Sequence, residues 1–204
     1  MNAAHENPFR TSRLLSLPIH WGDTSPEDLL ARWHAAGRRG ALVGPHGTGK
    51  TTRLRALASR LADEGWRVAW IQWHDDGTTT PDDWRGALRD LDARSVVCLD
   101  GSENLGPLSA YQVSRYTRRA GGLLVTRHRA SLLLPTLARH RPDPALFGAH
   151  AALLAPGAEA EARAAFAAAR GNAHEAFRRL YLDYSRLSSR PIKAASASAG
   201  GLPA

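Results

Sequence analysis

The feature that constrains this chain most is a glycine-rich segment of eight residues, Gly44 to Thr51, which reads GPHGTGKT. It matches the pattern G-x-x-x-x-G-K-[ST] in full. A short apolar run, Gly40 to Val43, precedes the segment and a helical pattern follows it, so the segment joins a strand to a helix. In that place the glycines let backbone N–H groups turn toward phosphate oxygens, and the helix N-terminus adds partial positive charge. The segment therefore predicts a phosphate-binding loop.

The side chains of this loop have separate expected tasks. Lys50 is expected to reach the β- and γ-phosphates of a nucleotide, and the Thr51 hydroxyl to coordinate Mg²⁺. Only two of the 27 basic residues are lysines, and one of them stands here, which strengthens the interpretation. No catalytic role is expected for Pro45 or His46. The predicted nucleotide-binding residues are Gly44, Pro45, His46, Gly47, Thr48, Gly49, Lys50, Thr51 and Thr52.

Strand and helix patterns alternate along the chain up to about residue 155. Ser25-Pro26-Glu27-Asp28 indicates a capped helix start. Apolar runs predict further strands at 67–72, 95–99 and 123–125, and a fifth strand near His150 to Leu154. Continuous apolarity over such runs is typical of strands covered on both faces by crossover helices, so the fold class is α/β with a parallel sheet of about five strands.

Composition and pattern divide the chain into four parts. Residues 1–38 are predicted to form an irregular linker and a helix, and 39–155 the core with the phosphate-binding loop. Only helical patterns occur at 156–190, which predicts a small C-terminal helical lid. Residues 191–204 contain too few large apolar groups to form a core, so a disordered tail is expected there.

Charge, cysteine content and the length of the apolar runs bear on which partners and which compartment to expect for this protein. The net charge of +8 invites a nucleic-acid interpretation, but the arginines are dispersed and form no basic stripe, so nucleic acid is not the favoured partner. The single cysteine, Cys98, excludes a disulfide framework and fits a reducing cytoplasm. No apolar run approaches the roughly 20 residues that a membrane-spanning helix needs, so no membrane association is expected.

Two acidic residues follow the strand predicted at 95–99. A phosphate-binding loop needs a carboxylate to help hold Mg²⁺, normally at the end of a neighbouring buried strand, and Asp100 stands there. Asp100 and Thr51 are therefore the candidate metal ligands. The water that attacks the γ-phosphate needs a nearby carboxylate to orient or deprotonate it, and Glu103 is the nearest candidate after Asp100.

Four segments carry a family resemblance: GPHGTGKT, VVCLDGSENL, LLVTRH and GNAHEAFRRLY. In this order, over residues 41–184, they resemble the additional-strand P-loop ATPases, specifically the AAA+ group and its NACHT/STAND-type relatives. The resemblance implies ATP and Mg²⁺ as cofactors. In the NACHT type the acid three positions after the magnesium aspartate is the presumed catalytic one, which supports Glu103. The more common AAA+ form has Asp-Glu in immediate succession, and Gly101 departs from it.

The same resemblance implies two sensing positions. The polar residue that ends the fourth strand would sense the γ-phosphate, and Thr126 stands there, with His128 as the weaker candidate. A lid of this type carries a second sensor arginine, but the matching residue here is His174. Arg178 or Arg179, one turn later, could substitute for it.

Two further features follow from the resemblance. Asn7-Pro8-Phe9 is similar to a linker that lies against adenine. An arginine finger would come from near the end of the helix after the fourth strand, where Arg139 and Arg141 stand. The leading hypothesis is thus an ATPase that hydrolyses Mg-ATP to move its lid or a protein partner, with a homo-oligomer as one form. The alternatives are a small P-loop kinase and an ATP-dependent, DNA-associated switch with little turnover.

Overall fold

The computed structural model describes residues 6–74 and 81–188, so the expected tail at 191–204 lies outside the described residues. The strands are β1 (Arg39–Val43), β2 (Arg67–Gln72), β3 (Ser95–Asp100), β4 (Gly122–Arg127) and β5 (Thr136–Arg139). The helices are α1 (Thr11–Leu14), α2 (Pro26–Ala35), α3 (Lys50–Asp63), α4 (Pro81–Ala87), α5 (Pro107–Thr117), α6 (Pro144–Leu154), α7 (Glu159–Ala168) and α8 (Ala173–Ser188), with a 3₁₀ turn at Ser102–Asn104. Within the described ranges, no helix is both long and apolar enough to span a bilayer.

The five strands form one parallel sheet in the order β2-β3-β4-β1-β5. The predicted α/β class with a five-stranded parallel sheet is confirmed. β4 lies between β1 and β3, with Leu42 of β1 opposite Thr126 of β4. Because the strands are parallel, the carboxyl ends of β1, β3 and β4 meet at one edge, where ligands bind in open α/β sheets.

Alternate residues of the central strands pack on opposite faces of the sheet. One face, which includes Val96 and Leu124, is covered by α2 and α3 through side chains such as Trp33. The other face, which includes Val97 and Val125, is covered by α4 and α5. Burial on both faces explains why the strands appear in the sequence as unbroken apolar runs.

A third apolar cluster lies outside the sheet and joins α6, α7 and α8. Phe147 of α6 stacks on Phe166 of α7 with ring centroids 4.7 Å apart, and Phe177 of α8 lies 4.4 Å from Phe147. These three helices are called the lid below, after the lid predicted at 156–190. They include α6, which precedes the two helices expected beyond Pro156.

The predicted strand near His150 to Leu154 is wrong, because that run is the second half of α6. An apolar run of five residues fits a buried helix as well as a strand. The helix start was present in the sequence: Asp143 caps α6 by accepting from the backbone N–H groups of Ala145 and Leu146, and Pro144 occupies the first turn.

The fifth strand is β5, which follows Pro135 and pairs with β1 at the sheet edge. Its four residues contain only two buried apolar side chains, Leu137 and Ala138, and so give no continuous run. The N-terminal region also differs from expectation, since the linker predicted to be irregular contains the single-turn helix α1.

Candidate functional site

The phosphate-binding loop lies at the carboxyl end of β1 and leads directly into α3. Gly49 stands in the left-handed region with a φ of 80° and precedes the first residue of the helix, Lys50. A side chain at Gly44 would place its Cβ 2.6 Å from the backbone oxygen of His140, so only glycine fits between β1 and the segment after β5. These glycines shape the turn that directs the helix N-terminus at the cleft.

Lys50 is nearly buried, with 8% of its surface exposed, and its Nζ donates to the Pro45 carbonyl oxygen at 2.7 Å. Burial lowers the pKa of Lys50, and the negative charges of Glu103 and Asp100 oppose that effect. The ammonium group is therefore held inside the loop by one carbonyl, close to two carboxylates.

Asp100 ends β3 opposite the first turn of α3. The Thr51 hydroxyl donates to the Asp100 carboxylate, with distances of 3.0 and 2.9 Å to its two oxygens. Thr126, from the end of β4, donates its hydroxyl to Asp100 Oδ1 at 2.6 Å and accepts from the Gly101 N–H at 2.9 Å. Hydroxyl and carboxylate oxygens are the ligands Mg²⁺ prefers, so Thr51 and Asp100 form a donor set that fits this ion.

Glu103 lies in the 3₁₀ turn after β3 and is held by a histidine. Its Oε1 is 2.7 Å from Nε2 of His128, which follows β4. Its Oε2 is buried and has no hydrogen-bond partner among the described residues. The His128 ring in turn meets the ring of His46 in the loop, with centroids 3.7 Å apart and an interplanar angle of 68°. No sequence pattern indicated this contact between residues 46 and 128.

His140 connects β5 to the phosphate-binding loop. Its Nδ1 lies 3.2 Å from the Thr48 carbonyl oxygen, and its Nε2 lies 3.4 Å from Nη1 of Arg53. In the neutral tautomer with a proton on Nδ1, the ring donates to Thr48 and accepts from Arg53. Burial, together with the Arg53 charge, lowers the pKa of His140 to about 4.

His140 is expected to make the protein less stable in acid. The folded state binds its proton with a pKa of about 4 against 6.5 for the ordinary group, so stability is lost as the pH falls from about 6.5 toward 4. The loss from this group should reach on the order of 2 kcal/mol. Urea unfolding at pH 7.5 and pH 5 measures it, and His140→Gln should reduce the difference between the two values. An exposed control, His34→Gln, should leave that difference unchanged; an equal effect of both substitutions would contradict the assignment.

One large cleft of about 1310 Å³ contains the loop, Asp100 and Glu103. It exceeds the roughly 300–1,000 Å³ of common ligand pockets, so a nucleoside triphosphate has room. Residues 17–24 line its far side together with Phe147 and Phe177 of the lid. Arg53 joins that side to the loop, since its Nε donates to the His20 carbonyl at 3.0 Å.

The lid contacts the phosphate-binding loop directly. The backbone N–H of Ala173, the first residue of α8, donates to the Gly47 carbonyl oxygen at 3.3 Å. His174, the position matched to the second sensor, lines the cleft. Arg178 and Arg179 instead pair with Glu175 at 2.9 and 3.2 Å and do not line the cleft, so the structure offers neither as a substitute sensor.

Gly47→Ala is expected to weaken nucleotide binding about tenfold or more, because a left-handed backbone costs other residues about 1–3 kcal/mol. The φ of Gly47 is 70°, and an added Cβ would lie 2.7 Å from the Ala173 nitrogen and against the Asn172 side chain. Nucleotide titration measures the loss. Gly86→Ala, where the Cβ meets nothing within 4 Å, is the matched control. Adding Asn172→Ala should recover part of the affinity; unchanged affinity in Gly47→Ala would refute the close contact.

Arg139 and Arg141 lie elsewhere than the sequence indicated. Arg139 is the last residue of β5, no helix separates it from β4 among the described residues, and both arginines line the cleft of their own chain. The prediction that they follow a helix is therefore wrong. Neither forms an ion pair with a carboxylate in the described part of the chain.

Asn7 and Phe9 do not line the cleft. Asn7 is fully buried and donates from Nδ2 to the Tyr181 carbonyl at 2.8 Å and to Ser185 Oγ at 2.9 Å, both on α8. Phe9 packs against Phe177, with ring centroids 6.4 Å apart. The structure thus anchors this segment on α8, and its contact with adenine stays a prediction.

Comparison with known proteins agrees with this architecture. The family model described as Novel STAND NTPase 5 matches residues 24–128, from α2 to the end of β4. A mutant of RuvB from Thermotoga maritima has a similar solved structure, with a TM-score of 0.51 and 14% sequence identity over 84% of this chain and 73% of that chain. At that identity the likeness shows the fold alone. No significant match was found among curated protein sequences.

The parallel sheet with β4 between β1 and β3, the phosphate-binding loop at the carboxyl ends of its strands, and the family match define a P-loop NTPase of the STAND type. The family match covers the loop, Asp100, Glu103 and Thr126. The chain belongs to the Novel STAND NTPase 5 family.

Proposed function

We propose that the protein binds Mg-ATP in the cleft, hydrolyses it, and uses the reaction to change the position of its lid. The observation that carries the proposal is the convergence of Lys50, Thr51, Asp100 and Glu103 at one edge of the sheet. Phosphoryl transfer to water requires a cation that binds the phosphate oxygens, two oxygen donors that hold the metal ion, and a separate carboxylate that accepts from the water.

In this proposal each side chain has one task. Lys50 leaves the Pro45 carbonyl and binds the β- and γ-phosphates. Thr51 and Asp100 hold Mg²⁺, which when bound neutralises negative charge on the phosphate oxygens. Thr126 keeps Asp100 oriented through the 2.6 Å hydrogen bond and so acts through the aspartate. Glu103 accepts the proton of the attacking water at its unpartnered oxygen.

The loop-to-lid contact supports the mechanical part of the proposal. Gly47 belongs to the loop that would hold the phosphates, and its carbonyl oxygen accepts from the first residue of α8. A change in the loop when phosphate is released would therefore act on the lid at once.

We propose that Arg139 and Arg141 add positive charge within their own cleft rather than in a neighbouring subunit, because both already line it. A homo-oligomer and a protein partner stay predictions.

Phosphate release from ATP and GTP, with and without Mg²⁺, tests the proposal. We expect Mg²⁺-dependent release from ATP that needs no second substrate. Adding acceptor metabolites tests the kinase alternative, which the lid disfavours because it follows the last strand instead of interrupting the core. Adding DNA tests the switch alternative. Nucleotide binding with no release under any condition would refute hydrolysis and leave the switch.

A further inference from the structure

Three side chains from separate parts of the chain contact one another in series at the site. His46 belongs to the phosphate-binding loop, His128 follows β4, and Glu103 follows β3. The His46 and His128 rings meet edge to face at 3.7 Å, and His128 Nε2 lies 2.7 Å from Glu103 Oε1. His46 stands at a position of the loop pattern that accepts any residue, so the nucleotide-binding motif does not account for this contact.

The contact with His128 restrains the carboxylate of Glu103. Burial lowers the pKa of His128, with Glu103 acting in the opposite direction and His46 and Lys50 adding to the decrease. A neutral imidazole with its proton on Nε2 donates to Oε1 and fixes the rotation of the carboxylate. Only Oε2, which is buried and unpartnered, is then left to accept from a water.

His46, at the other end of this series of contacts, lies next to the phosphate site. Lys50 Nζ donates to the carbonyl oxygen of Pro45, the residue immediately before His46. The Lys50 ammonium group has three N–H donors, and when it turns toward phosphate oxygens its contact with that carbonyl can lengthen or break. The loop backbone next to His46 would then lose its 2.7 Å restraint on phosphate binding.

We propose that His46, His128 and Glu103 form a relay through which occupancy of the phosphate site sets the orientation of the Glu103 carboxylate. The relay regulates the proposed hydrolysis and so rests on that function. His46 and His128 are positioning residues in it, since they act on the water through Glu103. Loss of the His46 ring should slow hydrolysis while the loop backbone still binds the nucleotide.

The first test compares His46→Ala with His46→Phe, which keeps a ring against His128 but cannot titrate. We expect kcat to fall about tenfold or more in His46→Ala, as part of the roughly 10²–10⁴-fold that a general base contributes. The dissociation constant for Mg-ATP should change less than about threefold, and His46→Phe should restore most of the rate. The exposed control His34→Ala should match wild type. An unchanged kcat in His46→Ala, or a loss of rate explained by weaker ATP binding, overturns the relay.

A double variant shows whether His46 acts through Glu103. In the Glu103→Gln background, adding His46→Ala should lower the rate by less than about twofold, because residues that act as a unit are non-additive. A tenfold loss in both backgrounds would mean that His46 acts elsewhere, and would overturn the relay. If wild type and Glu103→Gln turned over equally, Glu103 would not be the base of the proposed hydrolysis, and the rate could not report on the relay.

If Glu103→Gln hydrolyses ATP as fast as wild type, a measurement that does not depend on hydrolysis tests the relay instead. The imidazole signals of His128 can be followed by NMR and assigned by their loss in His128→Gln. Adding magnesium with a non-hydrolysable ATP analogue should shift these signals in wild type, and His46→Ala should remove most of the shift. The same shift in both proteins would overturn the relay, whereas its loss in His46→Ala supports the relay whether or not ATP is hydrolysed.

Discussion

Glu103→Gln should lower the rate of ATP hydrolysis by about 10²-fold or more, since general-base contributions lie around 10²–10⁴-fold. Glutamine keeps the shape of the side chain and can still contact His128, but it cannot accept a proton from water. Mg-ATP binding should change little, because Glu103 forms no hydrogen bond with the proposed metal ligands Thr51 and Asp100 among the described residues. Single-turnover phosphate release and ATP titration measure the two quantities separately.

The matched control for this variant is Glu161→Gln, an exposed glutamate on α7 outside the cleft, which should hydrolyse ATP like wild type. Equal turnover in Glu103→Gln and wild type would assign the water to another group. A large loss of Mg-ATP affinity in Glu103→Gln would instead place Glu103 among the metal ligands. Either result would separate Glu103 from the role proposed for it.

The sequence predicted the central strands and their meeting point because both follow from local patterns. β1, β3 and β4 are apolar on both faces, which leaves unbroken runs in the sequence. Parallel strands place their carboxyl ends at one edge, so Asp100 could be expected near Thr51 before any distance was known. The structure places the Thr51 hydroxyl oxygen 3.0 Å from Asp100 Oδ1, as that expectation requires.

The sequence analysis misplaced the fifth strand because the apolar pattern of a short segment does not show which elements cover that segment in the fold. Ala151 and Leu154 of the run His150 to Leu154 are buried, but by the lid helices and not by the sheet. β5 is a short edge strand, and its burial comes from Leu137 and Ala138 alone. Edge strands make fewer contacts, so their apolar pattern is weak.

Contacts between distant residues explain what the sequence could not show about the site. His46 and His128 are in contact because β4 lies beside β1 in the sheet, and no local sequence pattern indicates that pairing. His140 reaches Thr48 only because β5 pairs with β1 at the sheet edge. Asn7 joins α8 across almost the whole length of the chain. In each case the residue type was visible in the sequence, and its partner was not.

Lys50→Ala should weaken nucleotide binding by about 10²-fold or more without unfolding the protein. The lysine supplies the point charge for the β- and γ-phosphates, and the loop backbone cannot replace it. The folded protein should not depend on it, because the ammonium group is desolvated and bonded to the Pro45 carbonyl, and no described carboxylate forms an ion pair with it. Burial of the ammonium group costs free energy, and the nearby carboxylates Glu103 and Asp100 offset only part of that cost, so removal of Lys50 should change the free energy of unfolding little.

Titration with a fluorescent ATP analogue and urea unfolding measure these two effects on the same preparation. Arg118→Ala, which removes an exposed cation at the end of α5, is the control for a loss of charge, and it should alter neither quantity. The combination of lost binding and preserved stability is specific, because a packing role for Lys50 would lower both together. If Lys50→Ala bound ATP as wild type does while remaining folded, the phosphates would have to lie away from the loop, and the proposed function would be wrong at its first step.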